Sequence, residues 1–362
     1  MSFLKKVFGS KEEVNVLDNN SFWSWFATNE KKFYATVKES KDVDTKFLSK
    51  LMPKLQQLNG QFFCLTGMLD DNKAELVVTA EGDIKTFIFV EDLISAAPKL
   101  DRWQFTALKP PMGLDGVSIE MDGLEFNSNN ISFVSNDNED YADEIDITLI
   151  HKDYTEENRD LIANGLLIFL DNALGELNAA TLIDTVTVSG PSSKKELISI
   201  EKLSNFLLWR EKEFIEKYGG TRYNTENDSY SALEGKDENG LPVIAIVNQE
   251  LLDWDAKASH PWVMLIEVKY DGKENGGMPD EETYKLMDKF EDELMKSLSD
   301  SEGYLNVGRQ TYNGSRTVYF ACKEFRHPSK VAAGLINNYL EILDISYDIF
   351  KDKYWRVMSR FS

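Results

Sequence analysis

The chain is poor in the residues on which most recognisable chemistry depends. It has three histidines and two cysteines in 362 residues. His151, His260 and His327 include no pair at i, i+4 spacing, and none neighbours a cysteine, so no zinc site is encoded locally. His260 and His327 each precede a proline, which reads as a cap or turn position. Cys64 and Cys322 lie far apart in apolar, strand-like runs and read as small buried hydrophobes, with no spacing for a disulfide or metal framework. A G-x-S-x-G elbow, a phosphate-binding Walker loop and a dinucleotide fingerprint are all missing. Gly276-Gly277 does precede a helical pattern, but Asp280, Glu281 and Glu282 follow at once and would repel an anion. The carboxylates of that helix, Glu281, Glu282, Glu291, Asp292 and Glu293, read as a solvent face rather than a catalytic pair. No apolar run approaches about 18 residues, so no transmembrane segment is expected. The start, MSFLKKVFGSKEE, has no continuous apolar stretch or cleavage site, and the protein is expected to be cytoplasmic. Phe3, Leu4, Val7 and Phe8 around two lysines fit a short surface-seeking helix or a docked terminus.

Positive charge is also short, with 40 bases against 62 acids and a net charge of −22. Such an excess repels polyphosphate and argues against a nucleic-acid surface. Six carboxylates crowd between 137 and 146. They lack the alternating donors, turn glycine and closing glutamate of a calcium loop, and read as a solvated loop. No catalytic residue, metal site or cofactor is therefore expected.

What is present is pattern, clearest after His260. WVMLIEVKY (262–270) alternates as a strand, with Trp262, Met264, Ile266, Val268 and Tyr270 on one face. Pro279 and three acids open a helix that puts Leu286, Phe290, Leu294 and Leu298 on one stripe. YLNVGRQTY and RTVYFACK flank Asn313-Gly314, a strong hairpin signal because both residues tolerate positive φ. Pro328 opens a second helix with Val331, Leu335, Tyr339 and Ile342 inward, and 345–350 forms a last strand. The order βαββαβ predicts a ferredoxin-like two-layer sandwich.

Upstream, Ser21 is placed to cap a helix that runs FWSWFATNEKKFYATVKES (22–40), aromatic on a broad face. A second helix follows with Asp44 as its cap and Pro53 as a kink. FFCLTGML and AELVVTA pair about Asp70-Asp71-Asn72, and IKTFIFVEDLISAAP reads as a strand edge passing into a helix. Strands at 103–108, near Val117, Leu124 and Ile131, and at 145–150 suggest an antiparallel sheet. A long helix follows, and 181–188 closes the region as a strand. The expectation is an α+β protein of two domains: a leader (1–20), a mixed α+β domain with antiparallel sheet (21–190), a linker and bridging helix (191–220), and the ferredoxin-like domain (221–362). SGPSSKK (189–195) is the linker candidate.

The segments PWVMLIEVKYDG, GMPDEETYKLMDKFEDEL, the EGYLNVGRQTYNGSRTVYFACKEF hairpin and ISYDIFKDKYW resemble the bacterial domain of unknown function 695 family, over about 225–355. The resemblance implies a fold and carries no activity, cofactor or catalytic residue. Members look like distant relatives of the small acidic inhibitor of ribonuclease E, which would imply a protein-binding regulator by analogy of fold.

The residues themselves allow three readings. A binding surface on the sheet face, with Glu267, Arg309, Thr311 and Tyr319, joined by an aromatic-basic tail of Tyr354, Trp355 and Arg356, would suit a non-enzymatic module that binds a protein. Regulation of RNA turnover and neutralisation of a basic toxin are special cases of it. An enzyme would instead hold its site in the cleft between the halves, with Glu267, Arg309 and Tyr319 as working groups. A homo-oligomer would use the face for self-association. Docking of the face and tail on the chain's own halves is the structural counterpart of all three, and no small-molecule ligand is indicated.

Overall fold

In the computed structural model, residues 18–191 and 196–361 are described. The amphipathic N-terminal pattern and part of the linker candidate lie outside them. The fold is mixed α+β, and the backbone divides into two compact units, the first ending at Lys109 and the second beginning at Pro110. The break falls in Lys109-Pro110-Pro111, where two prolines in succession resist regular structure. Residues 189–191, beside the expected domain boundary, fall inside the second unit.

The first unit contains helices α1 (Asn19–Glu39), α2 (Ser49–Leu58) and α3 (Ile84–Ser95) and strands β1 (Phe63–Met68), β2 (Ala74–Thr79) and β3 (Trp103–Ala107). The cap of α1 is Asp18, whose carboxylate accepts from the Ser21 amide, rather than Ser21 itself. Asp44 lies within a π-helical turn leading into α2 and not at a cap. The aromatic face of α1 meets the sheet: Trp23 packs on Phe105 with ring centroids 4.5 Å apart and Phe26 meets Trp103 edge-on at 5.1 Å. The indole of Trp23 donates to Leu93 O at 2.7 Å. Two expectations fail here. The stretch at 84–95 is helical from its first residue, with Phe87, Val90 and Leu93 buried at helical spacing. That helix is the crossover between β2 and β3, which pair in parallel and not antiparallel.

The second unit begins with β4 (Ile119–Met121), β5 (Leu124–Phe126), β6 (Ile131–Asn136), β7 (Asp146–His151), α4 (Arg159–Leu174), α5 (Glu176–Leu182), β8 (Thr185–Ser189), β9 (Ile198–Ser199) and α6 (Leu203–Tyr218). The sheet order is β8-β7-β6-β9. β8 lies parallel to β7, a second departure from an all-antiparallel sheet. Thr181 and Leu182, expected to open that strand, instead end α5. Phe133, Ile147 and Leu149 pack on Ile162, Leu166, Phe169 and Leu170 of α4, and on Leu203 and Leu207 of α6.

Next come β10 (Tyr230–Lys236), β11 (Pro242–Asn248), α7 (Gln249–Leu252), β12 (Trp262–Lys269), α8 (Glu281–Ser297), β13 (Tyr304–Tyr312), β14 (Ser315–Cys322), α9 (Arg326–Tyr339) and β15 (Asp344–Lys351). Their sheet runs β10-β11-β13-β14-β12-β15, every neighbouring pair antiparallel. The Asn313-Gly314 turn forms as expected, with φ of 47° and 77°. Gly308, at φ 147°, sits at a bulge in β13 where a Cβ would lie 2.4 Å from Ile246 O. In α9 the buried residues are Pro328, Ser329, Ala332 and Tyr339. Ile342, expected inward, lies beyond the helix and is exposed.

Candidate functional site

The hairpin register decides which polar residues share a face. A two-residue turn sets Tyr312 opposite Ser315, and therefore Arg309 opposite Val318, Thr311 opposite Arg316 and Gln310 opposite Thr317. Successive side chains alternate, so one step of register moves a residue to the other face. Tyr319 lies opposite Leu265, and Glu267 opposite Thr317. Glu267 and Tyr319 thus share one face of the sheet, while Arg309 and Thr311 sit on the other, toward α8. The expected single surface of Glu267, Arg309, Thr311 and Tyr319 does not form.

On the α8 side the charges are internal. Arg316, 1% exposed, donates from Nη1 to Asp288 at 2.9 Å and to Glu291 at 2.8 Å, and from Nε to the Thr311 hydroxyl at 3.1 Å. Arg309 reaches the same two carboxylates at 3.0 and 2.7 Å and the Tyr284 hydroxyl at 3.2 Å. Glu291, expected on a solvent face, is therefore a buried ion-pair partner. The signal in the sequence is Arg316 itself, a charge in phase with Val318 and Phe320 on an apolar strand face.

On the opposite face, Glu267 accepts from Ser315 at 2.9 Å. Tyr319 is buried among Val263, Leu305, Val307 and the C-terminal segment, and its hydroxyl accepts from Arg360. The tail covers this end of the sheet. Trp355, Met358 and Phe361 are buried there, and the Trp355 indole donates to His260 O at 2.9 Å. Tyr354 and Arg356 engage the acidic loop before β7. Tyr354 donates to Asp143 Oδ2 at 3.1 Å, and Arg356 pairs with Glu144 at 2.8 Å. Of the two readings of the tail, partner anchor or docking on its own chain, Tyr354, Trp355 and Arg356 take contacts within the chain. Of the acidic run expected as a solvated loop, Asp137, Glu139 and Asp140 are exposed, whereas Asp143 and Glu144 form the socket for the tail.

Around this socket lies a charge cluster that sequence reasoning missed. Asp184, between α5 and β8, pairs with Lys351 and Lys353, both at 2.8 Å. Asp143 also receives Lys217 at 2.8 Å and Tyr218 at 2.7 Å. Burial pushes the Asp143 carboxyl up, but the hydrogen bonds from Lys217, Tyr218 and Tyr354 outweigh it and hold it below the usual range. Burial drives the Tyr354 hydroxyl up to about 12. Beside the cluster is a cavity of about 390 Å³ with Leu177, Leu182, Phe214, Ile215, Trp262 and Phe325 in its walls and Lys351 and Lys353 among its lining. Burial, and secondarily Lys353, lowers the Lys351 ammonium from 10.5 to about 8. Nothing in the local sequence KDKYW announces this, because Asp184 stands 169 residues before Lys353.

The lowered lysine has a consequence for stability. Below about pH 8 both folded and unfolded chains carry the proton on Lys351, and between about 8 and 10.5 only the unfolded chain keeps it. Unfolding then takes up a proton, so stability rises with pH over that window, by up to about 1.4 kcal/mol per pH unit. Urea midpoints measured at pH 8 and 9.5 should show the rise in the parent and lose it in Lys351→Met. An equal slope in both would remove Lys351 as its source.

The adjacent Ser259 and His260 do not make a nucleophilic pair. The Ser259 hydroxyl donates to Ala256 O at 2.6 Å, and His260, 2.8 Å from it through Nδ1, is fully buried. Burial, with a smaller contribution from Arg222, lowers the imidazole to about 4 and keeps it neutral. Burial also raises both thiols, Cys64 to about 12, so neither is a reactive thiolate. Among the described residues no group of three or more histidines, cysteines or acidic residues is placed to hold a metal ion, and no helix is long and apolar enough to cross a membrane.

The sheet from β10 onward, its buried arginine cluster and its docked tail coincide with a family similarity. Residues 233–361 match a family of unknown function, DUF695. The match takes in β11 to β15 and nearly all of the tail, so both the Arg316 cluster and the Trp355 anchor lie within the matched residues. Neither the curated proteins nor the solved structures contain a match to the chain.

One surface of the second unit is not closed. On α6, Leu208, Trp209 and Ile215 are 58%, 57% and 58% exposed. Arg210 lies over the Trp209 ring at 6.0 Å while its guanidinium donates to Ala142 O at 2.7 Å. The helix thus borders the cavity on one side and presents an indole to solvent on another.

Proposed function

We propose that this is a non-enzymatic, cytoplasmic module that binds another protein through α6. The observation that carries the reading is the exposed Leu208, Trp209 and Ile215 group on a single helix. Tryptophan backed by arginine is a common kind of interface anchor. The charged groups nearby are engaged with one another in ion pairs, which suits a scaffold better than a reaction centre. The βαββαβ order, with its four strands adjacent as β13-β14-β12-β15 and β10-β11 added beyond β13, supports a ferredoxin-like reading of 221–362. The resemblance to the inhibitor of ribonuclease E supports a regulatory partner, and the net charge of −22 favours a basic one.

The test is affinity capture of the tagged protein from its own cell lysate at low and moderate salt, in parallel with Trp209→Ala. A specific basic protein should be retained and lost as salt rises, and the variant should retain about tenfold less, consistent with loss of an anchor worth about 1.4 kcal/mol or more. Stability should change by less than about 0.5 kcal/mol, because the side chain is exposed. Equal retention by parent and variant would remove α6 from the reading. Self-association alone, read as mass in solution, would favour the homo-oligomer.

A second reading rests on Lys351. A buried amine with a lowered pKa in a cavity of mixed apolar and charged lining is suited to nucleophilic or general-base chemistry. Capture of nothing but the protein itself, together with binding of a metabolite that Lys351→Met abolishes, would favour an enzyme.

A further inference from the structure

The six-stranded sheet ends in a strand that is built to be extended. β10 is its edge, and its seven residues pair with β11 in an unbroken register from Tyr230–Asn248 to Lys236–Pro242. It contains neither proline nor bulge, two of the devices that blunt an edge. The phase of its ladder follows from the bonds at its two ends: Asp237 N donates to Leu241 O and Gln249 N to Ser229 O. Odd-numbered residues therefore bond to β11. In an antiparallel pair the intervening residues turn their amides and carbonyls away, so Tyr230, Ala232, Glu234 and Lys236 present theirs to the open edge. All four side chains are exposed, as is Leu233 on the other face.

We propose that β10 accepts an extended, basic polypeptide segment as an additional strand. This rests on the protein-binding reading and adds a second contact to it. Main-chain bonds to the four outward residues would supply affinity, and charge would select the occupant. The segment 226–238 holds Glu226, Asp228, Glu234, Asp237 and Glu238 against Lys236 alone. Glu234 is the one carboxylate within the strand, while Glu226 and Asp228 precede it and Asp237 and Glu238 follow it, so lysine or arginine at the ends of an added strand meets carboxylates at both ends. A second copy of the chain fits less well: the register that overlaps the whole strand, centred on Leu233, sets Asp228 opposite Glu238 at both ends, and both copies carry the same net charge of −22. Like charges directly opposite destabilise a sheet pair.

Ala232→Pro isolates the edge. Its amide points outward, so proline removes no bond to β11 and is tolerated there, whereas it removes a donor and adds bulk where the new strand would lie. The probe is a capped, dye-labelled lysine–valine alternating heptapeptide, with its glutamate–valine counterpart as control, titrated with the full chain by fluorescence anisotropy. The lysine peptide should bind, the glutamate peptide should not, and Ala232→Pro should weaken binding about tenfold or more with an unchanged far-ultraviolet spectrum and urea midpoint. Ala232→Thr should retain it, and Glu234→Lys should weaken it even if the proline variant is destabilised. Equal affinity of the parent and a folded Ala232→Pro would mean diffuse charge attraction and overturn the proposal, as would no binding of the lysine peptide. Self-association abolished by Ala232→Pro would name a second copy as the occupant and also overturn it. Should the edge fail while Trp209→Ala still loses its captured partner, the protein-binding reading stands without it.

Discussion

Arg316→Ala should destabilise the second unit by about 3–5 kcal/mol, the range for removing one member of a buried ion pair. Arg316 is 1% exposed and donates to Asp288, Glu291 and Thr311. Its loss leaves Glu291, itself 5% exposed, with Arg309 as its remaining cation. A desolvated carboxylate without enough donors is the main cost. The same logic predicts that Arg316→Met combined with Glu291→Leu loses far less than the sum of the two single changes, because no buried charge is stranded. Urea unfolding followed by circular dichroism of Arg316→Ala, Arg316→Met, Glu291→Leu and the double variant gives these values. Strictly additive single changes, or a cost below about 1 kcal/mol for Arg316→Ala, would show that water reaches the site and that the pair is effectively a surface bridge.

Trp355→Ala should cost about 3–5 kcal/mol, as for other buried aromatic truncations. The indole is 2% exposed, lies 6.1 Å from the Trp254 ring and is bonded to His260 O. Trp355 also holds φ at 56°, a conformation that costs a non-glycine residue about 1 kcal/mol or more. Packing of the ring maintains that conformation, so the change should also release the rest of the tail. Met358 and Phe361 would leave the sheet face, and Tyr354 and Arg356 would leave Asp143 and Glu144. Hydrogen exchange at 352–361 should rise with the loss of stability, and Trp355→Phe should fall between parent and alanine. A tail that stays protected in Trp355→Ala would show that Met358 and Phe361 hold it unaided.

Much of the C-terminal half was legible because its signals are local. Asn313-Gly314 requires two positive φ values, and it determines the hairpin and its register. Asp280 beside Glu281 and Glu282 marks the start of α8, where its carboxylate accepts from the Thr283 amide. Alternation in 262–268 identifies β12. The same register contained a correction that reading the strands one at a time missed: with Tyr312 opposite Ser315, Arg309 has to lie opposite Val318, on the far side from Tyr319. At 84–95 local preference was misleading. β-branched Ile84, Thr86 and Ile88 favour a strand, yet burial of Phe87, Val90 and Leu93 on one side and the parallel β2–β3 pair require a helix.

The candidate site was much less legible, since its parts come from distant segments. Trp209 reads as one more apolar residue in a helix, and only its exposure sets it apart. The tail was visible as aromatic and basic, but whether it was free or docked depended on Asp143, 211 residues before Tyr354, and on an apolar sheet face that is equally remote in the chain. By itself the sequence determined the α+β class, the order of elements after His260, the hairpin register and the match to DUF695, because turns, caps and periodicity act over a few residues. Tertiary structure alone decided the burial of Arg316 with Glu291, the convergence of Lys351 and Lys353 on Asp184, the docking of Trp355 and the exposure of Trp209. Those depend on which surfaces lose water, and desolvation is a property of the packed chain rather than of any short segment.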